Sequence, residues 1–327
     1  MKLINLNLVA NPVGAEHATL DLSPIERSVA HSADHPILKI GAWLAAFMFV
    51  GAVGYLTVRL FNFSGSLEST GQIVLGALQS RLFWSAVAVG VLAQTIDGAL
   101  GMAYGITSNT FLLASGVPPA VATASVHIAE VFTTGISGIS HVRMKNVNAK
   151  LFLRLLVPGI VGAVAGAFLV SSIDGKVLKP YISIYLFLMG LYLISKIFRK
   201  YKAAQHEPKH VAKLALFGGF VDSVGGGGWG PVVTTTLIGS GHDPRTTIGS
   251  VNFAEFFLTF GSAIAFSLLV GNGPWPVVAG LVLGGVFTAP LAALLTRKIN
   301  AKALLVMVGV LISLVSALNL YKAFFVR

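Results

Sequence analysis

A chain of 327 residues that is 55% apolar and only 11% charged, against about 25% charge in an average soluble domain, is not a soluble globule, and its long apolar runs exclude a disordered chain. The formal charge of +11 does not point to nucleic acid, because the basic residues sit in short connections between apolar runs and read as topology signals for a membrane. The absence of cysteine excludes disulfides, Cys-ligated zinc and thiol nucleophiles.

Residues 1–36 form a polar N-terminal tail, too long for the charged segment of a cleaved signal and expected to be disordered or interfacial. Residues 37–80 hold an extra transmembrane helix and an outer loop. The run 37–61 makes about 37 Å of helix, enough for a hydrocarbon core of about 30 Å. Two halves follow, 81–200 and 201–327, built on one plan. An apolar stretch (82–96; 211–221) meets a glycine-rich break, and a short apolar piece comes next (106–114; 231–238). Three long helices then close each half (119–140, 151–173 and 179–197; 244–270, 274–296 and 301–325). Pro119 and Pro244 mark the first position of the first long helix in each.

Adding 125 to a position in the first half pairs Asp97 with Asp222, Gly101 with Gly226, Gly105 with Gly230, Ser125 with Ser250 and Glu130 with Glu255. Such internal duplication is a feature of transporter folds. Short cytoplasmic loops are rich in Lys and Arg, so Arg143, Lys145, Lys150 and Arg154 belong inside, as does the run from Lys196 to Lys213. Three spans per half then invert the second half relative to the first. Arg297, Lys298 and Lys302 also fall inside, and 17 of the 23 basic residues become cytoplasmic. The expected fold is an all-α polytopic membrane protein with two inverted-topology repeats, each containing a broken, re-entrant helical hairpin, in the plasma or bacterial inner membrane with the N-terminus cytoplasmic.

The short pieces 106–114 and 231–238 are about half the length of a spanning helix. Broken helices at membrane depth survive only where they are buried in protein or line a wet cavity, so the two breaks point to one central site. The string GGGGWG at 225–230 matches G-x-G-x-x-G but lacks the soluble βαβ setting of a dinucleotide fingerprint. In a membrane its glycines either expose amides to an anion at a helix N-terminus or let helices pack closely.

Along 119–140, Thr123, His127, Glu130, Thr134 and Ser137 share one helical face. The equivalent helix carries Asn252, Glu255, Thr259 and Ser262. An ionised carboxylate at a helix centre costs about 2.5–3.5 kcal/mol. Asp97, Glu130, Asp222 and Glu255 together would therefore cost about 10–14 kcal/mol facing lipid, rivalling the stability of a typical domain at about 5–15 kcal/mol. They must be protonated, paired, or facing water or protein, and they are the candidates for proton coupling. Interhelical hydrogen bonding is the alternative role for the seam, and capping of freed amides the alternative for Asp97 and Asp222. His127 can touch Glu130 at i, i+3. Arg245, beside Pro244, is either a topology marker or an anion-attracting gate. Gly135-Ile136-Ser137-Gly138 resembles the GxSG signature of rhomboid-type intramembrane proteases, but the nearby His141 lies on the same helix and supplies no base from a second one. An enzyme is not expected.

Gly218-Gly219-Phe220, the 225–231 run, Gly241, Ser250, the duplication, and His141 with its following basic turn make the chain similar to the sulfite exporter TauE/SafE family over about 82–325. The resemblance implies transport of small sulfur oxyanions or organosulfonates such as sulfite or sulfoacetate, with other anions in some branches. The first break, DGALGMAYG at 97–105, departs from the family in lacking consecutive glycines and a following Pro-Leu. The expected substrate contacts are Gly101, Tyr104, Gly105, Ser125, His127, Gly226, Gly227, Gly228, Trp229, Ser250 and Asn252. Membrane lipids are expected partners, a homodimer is admitted, and no nucleic acid, cofactor or metal is expected. An anion channel is the alternative function.

Overall fold

The computed structural model describes residues 2–5, 26–29, 34–61, 67–198, 210–270, 273–295 and 301–325, and across the membrane part the chain is an all-α polytopic protein. In the tail, β1 (Lys2–Asn5) pairs antiparallel with β2 (Glu26–Val29), so a small ribbon stands where disorder or an interfacial segment was expected. The tail between the two strands, the basic residues Arg199, Lys200, Lys202 and Lys209, and Arg297 and Lys298 lie outside the described residues.

Helix α1 (Pro36–Phe61) stands where the extra span is expected and is long and apolar enough to cross a membrane. Much of it faces outward, with Trp43 at 79% and Phe47 at 77% exposure, as a helix solvated by lipid would be. The stretch after it departs from the expected outer loop by forming a second helix, α2 (Leu67–Gln79). Val74, Leu75 and Leu78 recur at helical spacing, and 13 residues are too few to span.

The first half runs through α3 (Arg81–Leu100), α4 (Tyr104–Ala114), α5 (Pro119–Arg143), α6 (Ala149–Ser172) and α7 (Gly175–Ser195). The second runs through α8 (Val211–Gly225), a π turn (Gly230–Thr234) continued by α9 (Thr235–Gly239), then α10 (Pro244–Leu269), α11 (Trp275–Leu295) and α12 (Ala301–Phe325). Local chemistry sets their starts. The Ser80 hydroxyl accepts from Phe83 N and opens α3, Asn148 does the same for α6 through Leu151 N, and Asp243 caps α10 through Thr246 N, each satisfying a helix-terminal N–H. Among the described residues, α1, α6, α7 and α10 are long and apolar enough to cross a membrane by length and composition. Helix α5 is as long but carries the polar seam, and most of it from Pro119 to Gly138 is buried in protein.

Each half packs against the other, and glycine sets how closely. Gly138 faces Phe253, Gly135 faces Phe256 and the His127 ring faces Phe266, so facing numbers fall along α5 as they rise along α10 and the two run antiparallel. Gly190 meets Ser313 while Gly309 meets Ile194, which makes α7 and α12 antiparallel as well. In contrast, α3 lies parallel to α11, with Gly280 on Phe83 and Gly284 on Val87, and α8 lies parallel to α6, with Gly162 on Leu216 and Gly166 on Phe220. At Gly90 and Gly166 a Cβ would come 2.5 Å from the carbonyl oxygens of Leu281 and Phe220. These seams require the small residues that let membrane helices approach backbone to backbone.

Candidate functional site

The two helix breaks are built alike. Gly101 closes α3 at φ 65°, ψ 38°, and Gly226 closes α8 at φ 67°, ψ 38°. Both adopt the left-handed conformation that glycine enters without steric cost. The N–H of each bonds back to a carbonyl one turn earlier, that of Asp97 or Asp222. The breaks then cross at main-chain contact. A Cβ on Gly105 would lie 2.6 Å from Gly227 Cα, and one on Gly230 would lie 2.6 Å from both Gly101 O and Met102 Cα.

Each break receives a carboxylate from its own half. Asp222 Oδ1 accepts from Gly228 N at 2.7 Å and Trp229 N at 2.8 Å, and Asp97, its partner in the 125-residue register, is buried at the first break. Asp222 thus caps freed amides, the alternative role the sequence left open. Gly228 and Trp229 were expected to offer their amides to a substrate; here those amides hold the Asp222 carboxylate. Carbonyls freed by the breaks are capped from the facing half. Asn109 Nδ2 donates to Gly225 O at 2.6 Å, and Thr234 Oγ1 donates to Gly101 O at 3.1 Å. Tyr185 OH donates to Gly227 O at 2.7 Å. These three caps were missed from sequence, although Asn109 and Thr234 are partners in the 125-residue register and each is a polar residue in an apolar half-helix.

The other oxygen of Asp222, Oδ2, lies 3.1 Å from His127 Nε2, so His127 pairs across the halves rather than only with its helical neighbour Glu130. Thr123 O lies 2.9 Å from His127 Nδ1. A carbonyl can only accept, so Nδ1 carries a proton, and the bond from Nε2 to Asp222 needs one more proton shared between the two groups. One ligand atom from each of His127, Glu130 and Asp222 falls within 4.8 Å of the others, a spacing that one bridging water or a small cation can close.

All four carboxylates lie in the protein interior, and each of Asp97, Glu130, Asp222 and Glu255 is near enough to interact electrostatically with the other three. Glu130 Oε2, Glu255 Oε2, Asn109 Oδ1 and both polar atoms of the Asn252 amide are buried without a hydrogen-bond partner among the described residues. A buried polar atom left unpaired costs about 1–3 kcal/mol, so this concentration is far more expensive than interhelical glue requires. The helix carbonyls of Glu130 and Glu255 accept from Thr134 and Thr259, which fixes that part of the seam.

Not every expected contact is brought together. Ser125 and Ser250 sit five residues before their glutamates on antiparallel helices, about 7.5 Å along each axis, and so flank the cluster on opposite sides. Ser125 Oγ donates to Val121 O at 2.7 Å, and Ser250 Oγ donates to Thr246 O at 2.7 Å while accepting from Asn148 N at 2.9 Å. The Tyr104 phenol donates to Leu281 O at 3.1 Å. The Trp229 indole is fully buried against Gly159 and Gly218, with Nε1 donating to Val251 O at 3.1 Å. As for the protease-like string, His141 Nδ1 lies 3.4 Å from Asn146 Nδ2, which gives its ring a partner other than Ser137.

Comparison with known proteins adds to this geometry. A family model described as Sulfite exporter TauE/SafE matches residues 86–320. A probable membrane transporter protein YtnM of Bacillus subtilis (strain 168) is 43% identical over 242 residues, covering 71% of this chain and 80% of its own length. YunE of the same organism, also named a probable membrane transporter protein, is 21% identical over 73% of this chain and 97% of its own length. A probable membrane transporter protein ORF9 of a Sinorhizobium species is 31% identical over 63% of this chain and 78% of its own length. No solved structure matches.

Proposed function

The chain belongs to the sulfite exporter TauE/SafE family of membrane transporters, and within it we propose a secondary transporter that moves a small anion, a sulfur oxyanion or organosulfonate, coupled to protons. The observation that carries this reading is the gathering of four duplicated carboxylates around two touching helix breaks. The amides of Gly228 and Trp229 already hold an oxyanion group, the carboxylate of Asp222, which supports an anionic cargo at the same donors. Substrate and Asp222 then compete for them. When the Asp222 carboxylate takes a proton, its hold on the amides weakens and the substrate oxygen replaces it. His127 takes part through the proton it shares with Oδ2, and Glu130, Glu255 and Asp97 complete the proton pathway.

The antiparallel pairing of α5 with α10 and of α7 with α12, together with the matching α3–α11 and α6–α8 seams, supports two inverted repeats at 81–200 and 201–327, since a two-fold axis in the membrane plane generates that set of contacts. The main-chain contact between the breaks favours a transporter that opens to one side at a time over a continuously open channel. The basic loops support a cytoplasmic N-terminus in a plasma or inner membrane. The test is flux of labelled sulfite or sulfoacetate in proteoliposomes carrying Glu130→Gln with Glu255→Gln. The reading expects pH-dependent flux to become flat; an unchanged pH profile overturns the coupling role.

A further inference from the structure

The two ends of the cluster are closed differently, because the 125-residue register does not repeat the residues that close them. At the end bearing the basic α5–α6 turn, Arg245 Nε donates to Asn146 Oδ1 at 2.6 Å, Asn146 Nδ2 lies 3.4 Å from His141 Nδ1, and Asn148 N donates to Ser250 at 2.9 Å. These bonds tie the start of α10 to the turn between α5 and α6. Asn146 is buried while Arg245 is exposed. The turn itself holds Lys145 at φ 58°, a left-handed conformation uncommon for a side chain of that kind. In the 125-residue register the opposite end carries Ala120 for Arg245, Phe266 for His141 and Gly273 for Asn148. There Phe266 packs on His127 with ring centroids 5.5 Å apart, and Ser125 borders a small crevice with Phe266, Gly273 and Trp275. One end closes with an aromatic ring, the other with a polar latch.

We propose that Arg245, Asn146 and His141 form a receiving site for an oxyanion, seen here in its closed, self-paired form. The proposal rests on the reading that the cargo is an oxyanion. A guanidinium offers five donors in a planar fork suited to sulfonate or sulfite oxygens, and in the closed form its Nε is held by the neutral amide oxygen of Asn146. Charge-assisted acceptors bond about twice as strongly as neutral ones, so an arriving anion displaces Asn146 Oδ1 from Arg245. Asn146 Nδ2, a donor beside the same point, then turns to the anion. Once α10 is no longer tied to the turn, Asn148 N releases Ser250 and the seam toward Glu255 opens.

The natural chain has no cysteine, so a single Ser250→Cys reporter in the full-length protein reads this opening directly. In inside-out vesicles, labelling by an impermeant maleimide is expected to be slow in the parent. It should rise about 10-fold or more with Asn146→Ala or Arg245→Gln, the change expected on losing a hydrogen bond to a charged group. Sulfoacetate, which does not react with maleimide, should accelerate labelling in the parent. With Asn146→Asp, which sets a carboxylate against the guanidinium, it should have no effect. Thr247→Cys, on the same buried stretch of α10, serves as the reporter where the first fails to fold. Labelling unchanged in both latch variants, or unchanged by sulfoacetate in the parent, overturns the receiving site. Sulfoacetate flux measured alongside separates that failure from a failure of the transport reading.

Discussion

Replacing Gly105 with alanine tests the crossing of the two breaks with one carbon atom. Gly105 lies inside α4 and is absent from the positions with positive φ, so alanine fits its backbone without strain. Its Cβ, however, would sit 2.6 Å from Gly227 Cα, 2.8 Å from Glu130 Oε1 and 3.0 Å from Gly226 O. Two of these neighbours are main chain and cannot rotate away. Overpacking costs about 1–3 kcal/mol, from which the better helix propensity of alanine recovers about 0.5–1 kcal/mol, leaving a net loss of about 1 kcal/mol at the middle of these ranges and about 2.5 kcal/mol at most. At about 2.1 cal/mol/K of unfolding entropy per residue, a chain of 327 residues should lose roughly 1–4 °C in melting temperature, and flux should fall with it because Glu130 is pushed aside. Gly54→Ala is the matched comparison, since a Cβ there meets nothing within 4 Å; it gains the helix propensity without the clash, so the melting temperature should hold or rise slightly while flux stays unchanged. A Gly105→Ala protein that melts and transports like the parent would refute the close crossing.

Two substitutions at Asp222 separate capping from chemistry, and two elsewhere test single contacts. Asp222→Asn keeps an oxygen for Gly228 and Trp229, so the protein should melt near the parent while flux loses its pH dependence; Asp222→Ala strands both amides, at about 1–3 kcal/mol each, and should lower the yield of monodisperse protein in size-exclusion chromatography. Trp229→Phe removes the bond to Val251 O and also the ring atoms that pack on Gly159 and Gly218, so it should cost more than the bond alone, about 0.5–1.5 kcal/mol, by the cavity it leaves, read as a clear drop in melting temperature. The Lys145–Asp34 pair, 2.7 Å apart but with side chains 63% and 44% exposed, should contribute under about 1 kcal/mol, so Asp34→Asn should leave thermal stability within error.

The breaks, the long helices and the duplicated acids were legible in the sequence because their signals are local or repeat at a fixed interval. Gly101 and Gly226, and Asp97 and Asp222, announce themselves by register, and Pro119 and Pro244 mark starts that the structure reproduces. Partners across helices were not legible. The i, i+3 rule tied His127 to Glu130, whereas the fold brings Asp222 from the other half to its Nε2, since no periodicity within one helix encodes what the facing helix presents. The glycine amides were read as free for a ligand because nothing in the spacing reveals that Asp222 folds back on Gly228 and Trp229. The helix at Leu67–Gln79 falls in the stretch assigned to an outer loop, although its apolar residues recur at helical spacing. Asn146 and Asn148, which tie the basic turn to α10, looked like ordinary loop residues.

Uptake and efflux of labelled sulfite, sulfoacetate, thiosulfate and simple carboxylates in vesicles, each at two external pH values, tests the proposed transport most directly. The account predicts that a sulfur oxyanion or sulfonate moves and that its rate changes with pH. Equal rates at both pH values, or no movement of any sulfur anion, would contradict it.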